Sequence, residues 1–249
     1  MNEEKFTGKS GIYQKYRPGY SKKLIDMLYS GMLSESSVIA DVGAGTGIFS
    51  RELALRGSKV ISVEPNDDMR AAAVDMLKEF KNCRVLKGTA ENTGLEPASA
   101  DAVTAAQAFH WFDPQAFRNE CRRILKKGGK AALIWNSRDA NSPLMLEQAE
   151  INYRLCPSFK GYPALIAQTS DVLEGFFKDG IYDFLQFRDD IPMSEEQFMG
   201  RSLSSSYAPK ENDESYEEYT AETRRLFEAH QRNGRIVFPN ILRLYSGEV

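Results

Sequence analysis

The chain predicts a doubly wound α/β fold with a mostly parallel sheet. Three observations predict it. Short β-branched runs alternate with amphipathic helical stretches across the first 138 residues. A glycine-rich turn, Gly43-Ala44-Gly45-Thr46-Gly47, joins the first such strand to the first helix of that alternation. The 249 residues are 42% hydrophobic and 27% charged. That balance suits one large globular unit, or one unit carrying an added cap.

Each element has its own reason. Ser37 to Val42 (SVIADV) is a short apolar run, the pattern of a buried strand. Thr46 to Arg56 follows as a helix with Ile48, Phe49 and Leu53 on one face and Gly57 as its stop. Lys59 to Val63 is the second strand. Asn66 reads as an N-cap, with Met69, Ala73, Met76, Leu77 and Phe80 repeating at helical period. Arg84 to Lys87 and Asp101 to Gln107 are the third and fourth strands. Asp113-Pro114 opens a helix whose buried stripe is Phe117, Cys121, Ile124 and Leu125. Lys126 and Lys127 complement its dipole in the last turn, and Gly128 ends it. Lys130 to Asn136 is the fifth strand. Such alternation implies parallel pairing through right-handed crossovers.

After Arg138 the alternation breaks. Residues 141–180 read as mostly helical, punctuated by Pro143, Pro157 and Pro163. Phe184 to Ile191 reads as a strand, and Ser194 caps a short helix. Asp213 to Gln231 is an amphipathic helix carrying Tyr216, Tyr219, Leu226 and Phe227. Arg235 to Tyr245 reads as a last strand, edged or bent by Pro239. The expected division is a core at 1–138, a mainly helical cap at 139–234 and a returning strand at 235–249.

Composition excludes several classes. The net charge is −3, so a nucleic acid is not an expected partner. No apolar run reaches the ~18 residues of a membrane span. The polar start, MNEEKFTGKSGIYQKY, is no secretory signal. Cys83, Cys121 and Cys156 are odd in number and lack metal-ligand spacing. The expected setting is cytoplasmic with reduced thiols, and no metal is expected. Oligomeric state stays open.

The junction Asp41-Val42-Gly43-Ala44-Gly45-Thr46-Gly47 carries the chemistry. Alternate glycines let the backbone turn sharply and approach a ligand. A dinucleotide fingerprint needs glycine at its first, third and sixth positions. Counted from Gly43, the sixth is Ile48, and the pattern fails from Gly45 as well. The Asp41 carboxylate would repel a pyrophosphate and suits a ligand bearing an ammonium and a sulfonium. Glu64 ends the second strand at the spacing where an acid meets ribose hydroxyls.

D-x-G-x-G-x-G followed by an acid after the next strand resembles the class I S-adenosylmethionine (SAM) dependent methyltransferases. Gly88-Thr89-Ala90-Glu91 is similar to their adenine-holding segment, and Gln107 to Trp111 to the segment that reaches the active site. Leu125-Lys126-Lys127-Gly128-Gly129 resembles their L-K-P-G-G turn, with Lys127 in place of proline. The likeness covers about 10 to 138 and the terminal strand. It implies a seven-stranded Rossmann-like sheet and SAM as cofactor. The SAM contacts it implies begin with Tyr16, Arg17, Asp41, Gly43, Gly45 and Gly47. They continue with Glu64, Pro65, Ala90, Glu91 and Gln107. Tyr13 to Pro18 looks like the N-terminal lid of small-molecule members, the trans-aconitate and quinone-ring types. Ser204 to Tyr207 looks like their cap signature.

The SAM methyl is already activated, so such an enzyme mainly aligns an acceptor and excludes water. Phe109, Trp111, Phe112 and Trp135 stand where an aromatic wall would face the sulfonium. His110 is the candidate base, whereas His230 extends an apolar stripe and reads as packing. Trp111, Trp135 and Tyr207 are the candidate substrate contacts. Arg17 and Arg138 could meet a substrate carboxylate, with Arg138 read first as surface charge. The expected function is methyl transfer to a small molecule. The alternatives are an RNA or protein methyltransferase and a non-catalytic SAM-binding regulator; an oxidoreductase is disfavoured by the glycine spacing. Oxygen, nitrogen and carbon acceptors all stay open.

Overall fold

Residues 19–162 and 170–249 are described by the structure, a computed structural model. The first element among the described residues is a helix the strand–helix alternation does not announce. In α1 (Lys22–Gly31), Ser21 accepts from Leu24 N, and Leu24, Ile25 and Leu28 are buried. Then follow β1 (Val38–Val42), α2 (Ile48–Leu55), β2 (Lys59–Val63), α3 (Asp67–Leu77), β3 (Cys83–Leu86) and β4 (Ala100–Ala106). A single 3-10 turn, Phe109–Trp111, leads to α4 (Pro114–Ile124) and β5 (Leu125–Arg138). Asn66 and Asp113 cap α3 and α4 as their positions predict, each accepting from the backbone three residues on.

The remaining elements are α5 (Pro143–Leu155), α6 (Ser170–Phe176), β6 (Asp183–Arg188), β7 (Ile191–Ser194), α7 (Glu195–Leu203), α8 (Tyr216–His230), β8 (Arg235–Phe238) and β9 (Asn240–Glu248). The main sheet has seven strands in the order β3-β2-β1-β4-β5-β9-β6. From β3 to β5 the pairing is parallel, and β9 runs antiparallel between β5 and β6. Strand order reverses between β1 and β4, which opens a crevice at their carboxyl ends.

Both faces of the sheet are covered. One carries Leu24, Leu28, Phe49 and Leu53 from α1 and α2. The other carries Phe109, Phe117 and Phe176, with Phe117 and Phe176 stacked at 5.4 Å. Above the sheet, α5, α7, α8 and the β7–β8 ribbon share a separate core that includes Met145, Phe198, Phe227 and Phe238.

Three boundaries differ from expectation. The first is α4, which stops at Ile124 because Leu125 is already extended and pairs with Ala100. Lys126 to Gly129 therefore lie within β5, where its register against β4 shifts between Leu125 and Lys130, and the cations in the last helical turn are Arg122 and Arg123. Next, α6 and β6 fall within 139–234 yet belong to the core: Phe176 packs on the sheet and β6 pairs with β9. Finally, the expected last strand is two. Pro239 separates β8, which pairs with β7 in the cap, from β9, which enters the main sheet. Among the described residues no helix is long and apolar enough to cross a membrane.

Candidate active site

The chain leaves β1 at Val42 and turns at once. Gly43 has φ 69°, and a Cβ there would stand 2.6 Å from the Ala108 Cβ and 3.0 Å from the Phe112 ring. Its N–H and that of Ala44 both donate to the Val63 carbonyl, at 2.9 and 3.1 Å, which pins the loop to β2. Gly45, at φ 57°, has open space where a Cβ would sit. Gly47 is different. It caps α2 at φ 82°, and a Cβ there would meet Ala73 and Leu77 of α3 at 3.3 Å. Gly47 does not border the cleft; it lets two helices approach, which corrects its assignment as a ligand contact.

Glu64, at the end of β2, is buried and fixed by the backbone. Its Oε2 accepts from Gly45 N at 2.8 Å and its Oε1 from Asn66 N at 3.0 Å. The carboxylate thus stands at the border of the cleft in a set orientation. Asp41 is 1% exposed and accepts from Ser50 Oγ at 2.5 Å and Thr104 Oγ1 at 2.8 Å. Burial pushes its carboxyl up to about 6, and the Glu64 charge adds to the rise. Asp41 borders the cleft, but both its oxygens serve internal hydroxyls. It therefore underpins the loop in place of the direct ammonium contact expected of it.

A cleft of about 310 Å³ lies over these groups. The glycine loop forms one side through Gly43, Ala44 and Gly45. Glu64 and Pro65 border it at β2, and Ala90 and Glu91 after β3. Gln107, Trp111 and Phe112 close it after β4. Gln107 is held at φ 58°, and its side-chain amide donates to the Asn136 carbonyl. The cleft also takes in Asn136 and Arg201, which sequence reasoning did not place there. Arg201 lies over the Phe238 ring at 4.2 Å. It comes from the last turn of α7, where a cation is what any helix end favours, so no pattern marked it.

Other candidates lie elsewhere. Trp135 is in the core, edge-on to Phe109 and Tyr245 at 6.0 and 5.7 Å. Alternation along β5 sends Trp135 to the α4–α6 face and Asn136 to the cleft. Tyr207 does not border the cleft; its hydroxyl accepts from Arg138 Nη1 at 3.0 Å. His110 does not border it either. It packs against Trp111 at 4.9 Å, its Nδ1 is buried without a hydrogen bond among the described residues, and burial lowers its pKa. Phe109 is core, and His230 pairs with Glu147 at 3.0 Å. Tyr16 and Arg17, with the expected lid, lie outside the described residues.

Residues 40–133 match the family model for a methyltransferase domain. An uncharacterised methyltransferase of Mycobacterium tuberculosis is 37% identical over 142 residues, covering 57% of this chain and 56% of that one. A 2-methyl-6-phytyl-1,4-hydroquinone methyltransferase of Spinacia oleracea chloroplasts is 33% identical over 106 residues, 41% of this chain and 30% of that one. The matches to the first of these relatives thus span little more than half their length. A solved protein of Anaeromyxobacter dehalogenans, assigned as a type II methyltransferase, has the same fold with a TM-score of 0.65. It is 20% identical, over 94% of this chain and 98% of that one.

Proposed function

We infer, for a chain that carries a class I SAM-dependent methyltransferase domain at residues 40–133, that it transfers a methyl group from SAM to a small-molecule acceptor. The observation that carries this reading is the Glu64 carboxylate at the switch-point cleft. It is fixed by Gly45 N and Asn66 N and borders the cleft at the end of β2, the place where an acid meets ribose hydroxyls. Ala90 and Glu91 would hold the adenine end and the open face of Gly45 the middle of the molecule. Trp111 and Phe112 offer π faces to a cation beside the loop. Bound there, SAM supplies a methyl already activated on a sulfonium.

The chain's own task is to align the acceptor and to keep water out. Trp111 and Phe112 supply the apolar wall. Burial lowers the His110 pKa, but its ring does not border the cleft; it backs Trp111, against which it packs at 4.9 Å, and no base is assigned in this reading. The hydroquinone specificity of the chloroplast relative supports an acceptor of small-molecule size. No group of three or more metal-binding side chains occurs among the described residues. On this reading methyl transfer is expected to persist in excess EDTA.

The test is incubation with methyl-labelled SAM, EDTA and panels of small carboxylic acids and phenols, beside RNA and protein. Label in a small acceptor is the expected result. Label only in RNA or protein would favour a macromolecular substrate. Product binding without any turnover would favour a regulator.

A further inference from the structure

We propose that Arg138 anchors a carboxylate of the methyl acceptor, where the cap meets the end of β5. The inference rests on the methyltransferase reading and names the substrate class of that same site. Arg138 is the last residue of β5, two beyond Asn136, which borders the cleft. Residues two apart share a strand face, so Arg138 continues the cleft-facing row about 7 Å further on.

This arginine is partly buried and has no carboxylate partner among the described residues. Its Nη1 donates to the Tyr207 hydroxyl, and its guanidinium lies 4.5 Å over the Tyr162 ring. Several other arginines find a counter-charge. Arg56, Arg123, Arg154 and Arg188 each pair with an acid. A cation drawn in from water without a counter-charge is costly. Two tyrosines soften that cost without cancelling the charge.

The side chains around Arg138 form a hydrogen-bonded set suited to a ligand with oxygens. Tyr162 is held in place by its own hydroxyl, which accepts from Asn152 Nδ2 at 3.1 Å and donates to Gln148 Oε1 at 3.3 Å. Gln148 is fixed in turn by donating to Ser202 Oγ at 2.8 Å. Tyr162 therefore gives Arg138 its ring and, with its proton committed to Gln148, keeps none for a ligand. Tyr207 is the reverse case. Its oxygen accepts from Arg138, so its own proton remains to be donated. The Tyr219 hydroxyl and Asn152 Oδ1 are fully buried polar atoms without a hydrogen bond among the described residues. One guanidinium with spare N–H donors and one phenol with a spare O–H match a singly charged carboxylate. A phosphate, with more charge to satisfy, would call for more cations than Arg138 alone supplies.

The test uses the full chain saturated with S-adenosylhomocysteine. It is titrated by calorimetry with matched pairs: benzoate and benzamide, succinate and succinamide. At least one carboxylate should bind, with its amide weaker by about 10- to 100-fold, the range of a charge-assisted hydrogen bond. Arg138→Gln should erase that preference while S-adenosylhomocysteine affinity stays within about twofold. Tyr207→Phe should reduce the preference several-fold, and it keeps the test usable if the arginine variant does not fold. Where a carboxylate is methylated, Arg138→Gln should raise KM far more than it lowers kcat. Equal binding of acid and amide, failure of every acid to bind, or a preference that survives Arg138→Gln would overturn the proposal. Failure of S-adenosylhomocysteine itself to bind would instead overturn the methyltransferase reading.

Discussion

Gly43 and Gly45 have nearly the same backbone conformation and opposite surroundings, and this separates two effects of one substitution. Gly43→Ala drives a methyl into Ala108 and Phe112, and is expected to cost about 2–4 kcal/mol of stability from overpacking and positive-φ strain together. Gly45→Ala meets nothing within 4 Å and carries the strain alone, about 1 kcal/mol. Its methyl occupies the cleft, so it should abolish cofactor binding in a chain that still folds. Urea melts and calorimetry on both variants check the contrast.

Asp41 makes a pH prediction. Its folded pKa of about 6 lies above the ordinary 3.8, so the native chain keeps a proton that the unfolded chain has lost. Stability from this group therefore falls as pH rises from about 4 to about 6 and is flat above, by roughly 2–3 kcal/mol in all. Asp41→Asn removes that dependence. Wild type should lose stability relative to the variant between pH 4 and pH 6.5 in paired urea melts. A constant difference would contradict the account. At this scale spacing in the sequence put Glu64 next to the glycine loop, and the structure has it accept from Gly45 N there. Trp135, Tyr207 and Gly47 were misplaced because their neighbours come from strand parity and helix packing, which no local pattern encodes.

At the scale of elements, strands were easiest to read. Buried parallel strands are short β-branched runs, and β1 and β2 stand within a residue of their expected bounds. Helix starts were also legible where a side chain caps them, as at Asn66, Asp113 and Ser194. The end of α4 was not, because the lysines that suit a last turn equally suit the start of β5. Nor was the place of α6. Seven residues cannot show a helical period well enough to tell which layer they cover. Yet α6 sets Phe176 against Phe109 and Phe117 at 5.0 and 5.4 Å. Phe176→Ala should therefore cost about 3–5 kcal/mol and leave S-adenosylhomocysteine affinity nearly unchanged in the folded fraction. A loss below 1 kcal/mol would mean that α6 is not part of the core.

For the whole molecule, strand order decides where chemistry happens. The reversal between β1 and β4 opens the crevice, and the glycine loop, Glu64 and Trp111 reach it from three different connections. The alternation of elements made that crevice legible before any coordinate. The cap was visible only as a break in the alternation, because its core is assembled from five short elements far apart in sequence. Arg138 sits where the two parts meet, and the cap's tyrosines show it to be an interior cation.

The central claim is that this cleft is built for SAM through Glu64. The most direct measurement is calorimetric titration with S-adenosylhomocysteine and, separately, NAD, on wild type and on a Glu64→Ala variant whose folding is checked by its melt. The account predicts micromolar binding of S-adenosylhomocysteine, no binding of NAD, and a loss of about 10- to 100-fold in the variant, from the charged hydrogen bonds removed. Binding of NAD in preference, or S-adenosylhomocysteine affinity untouched by the substitution, would contradict it.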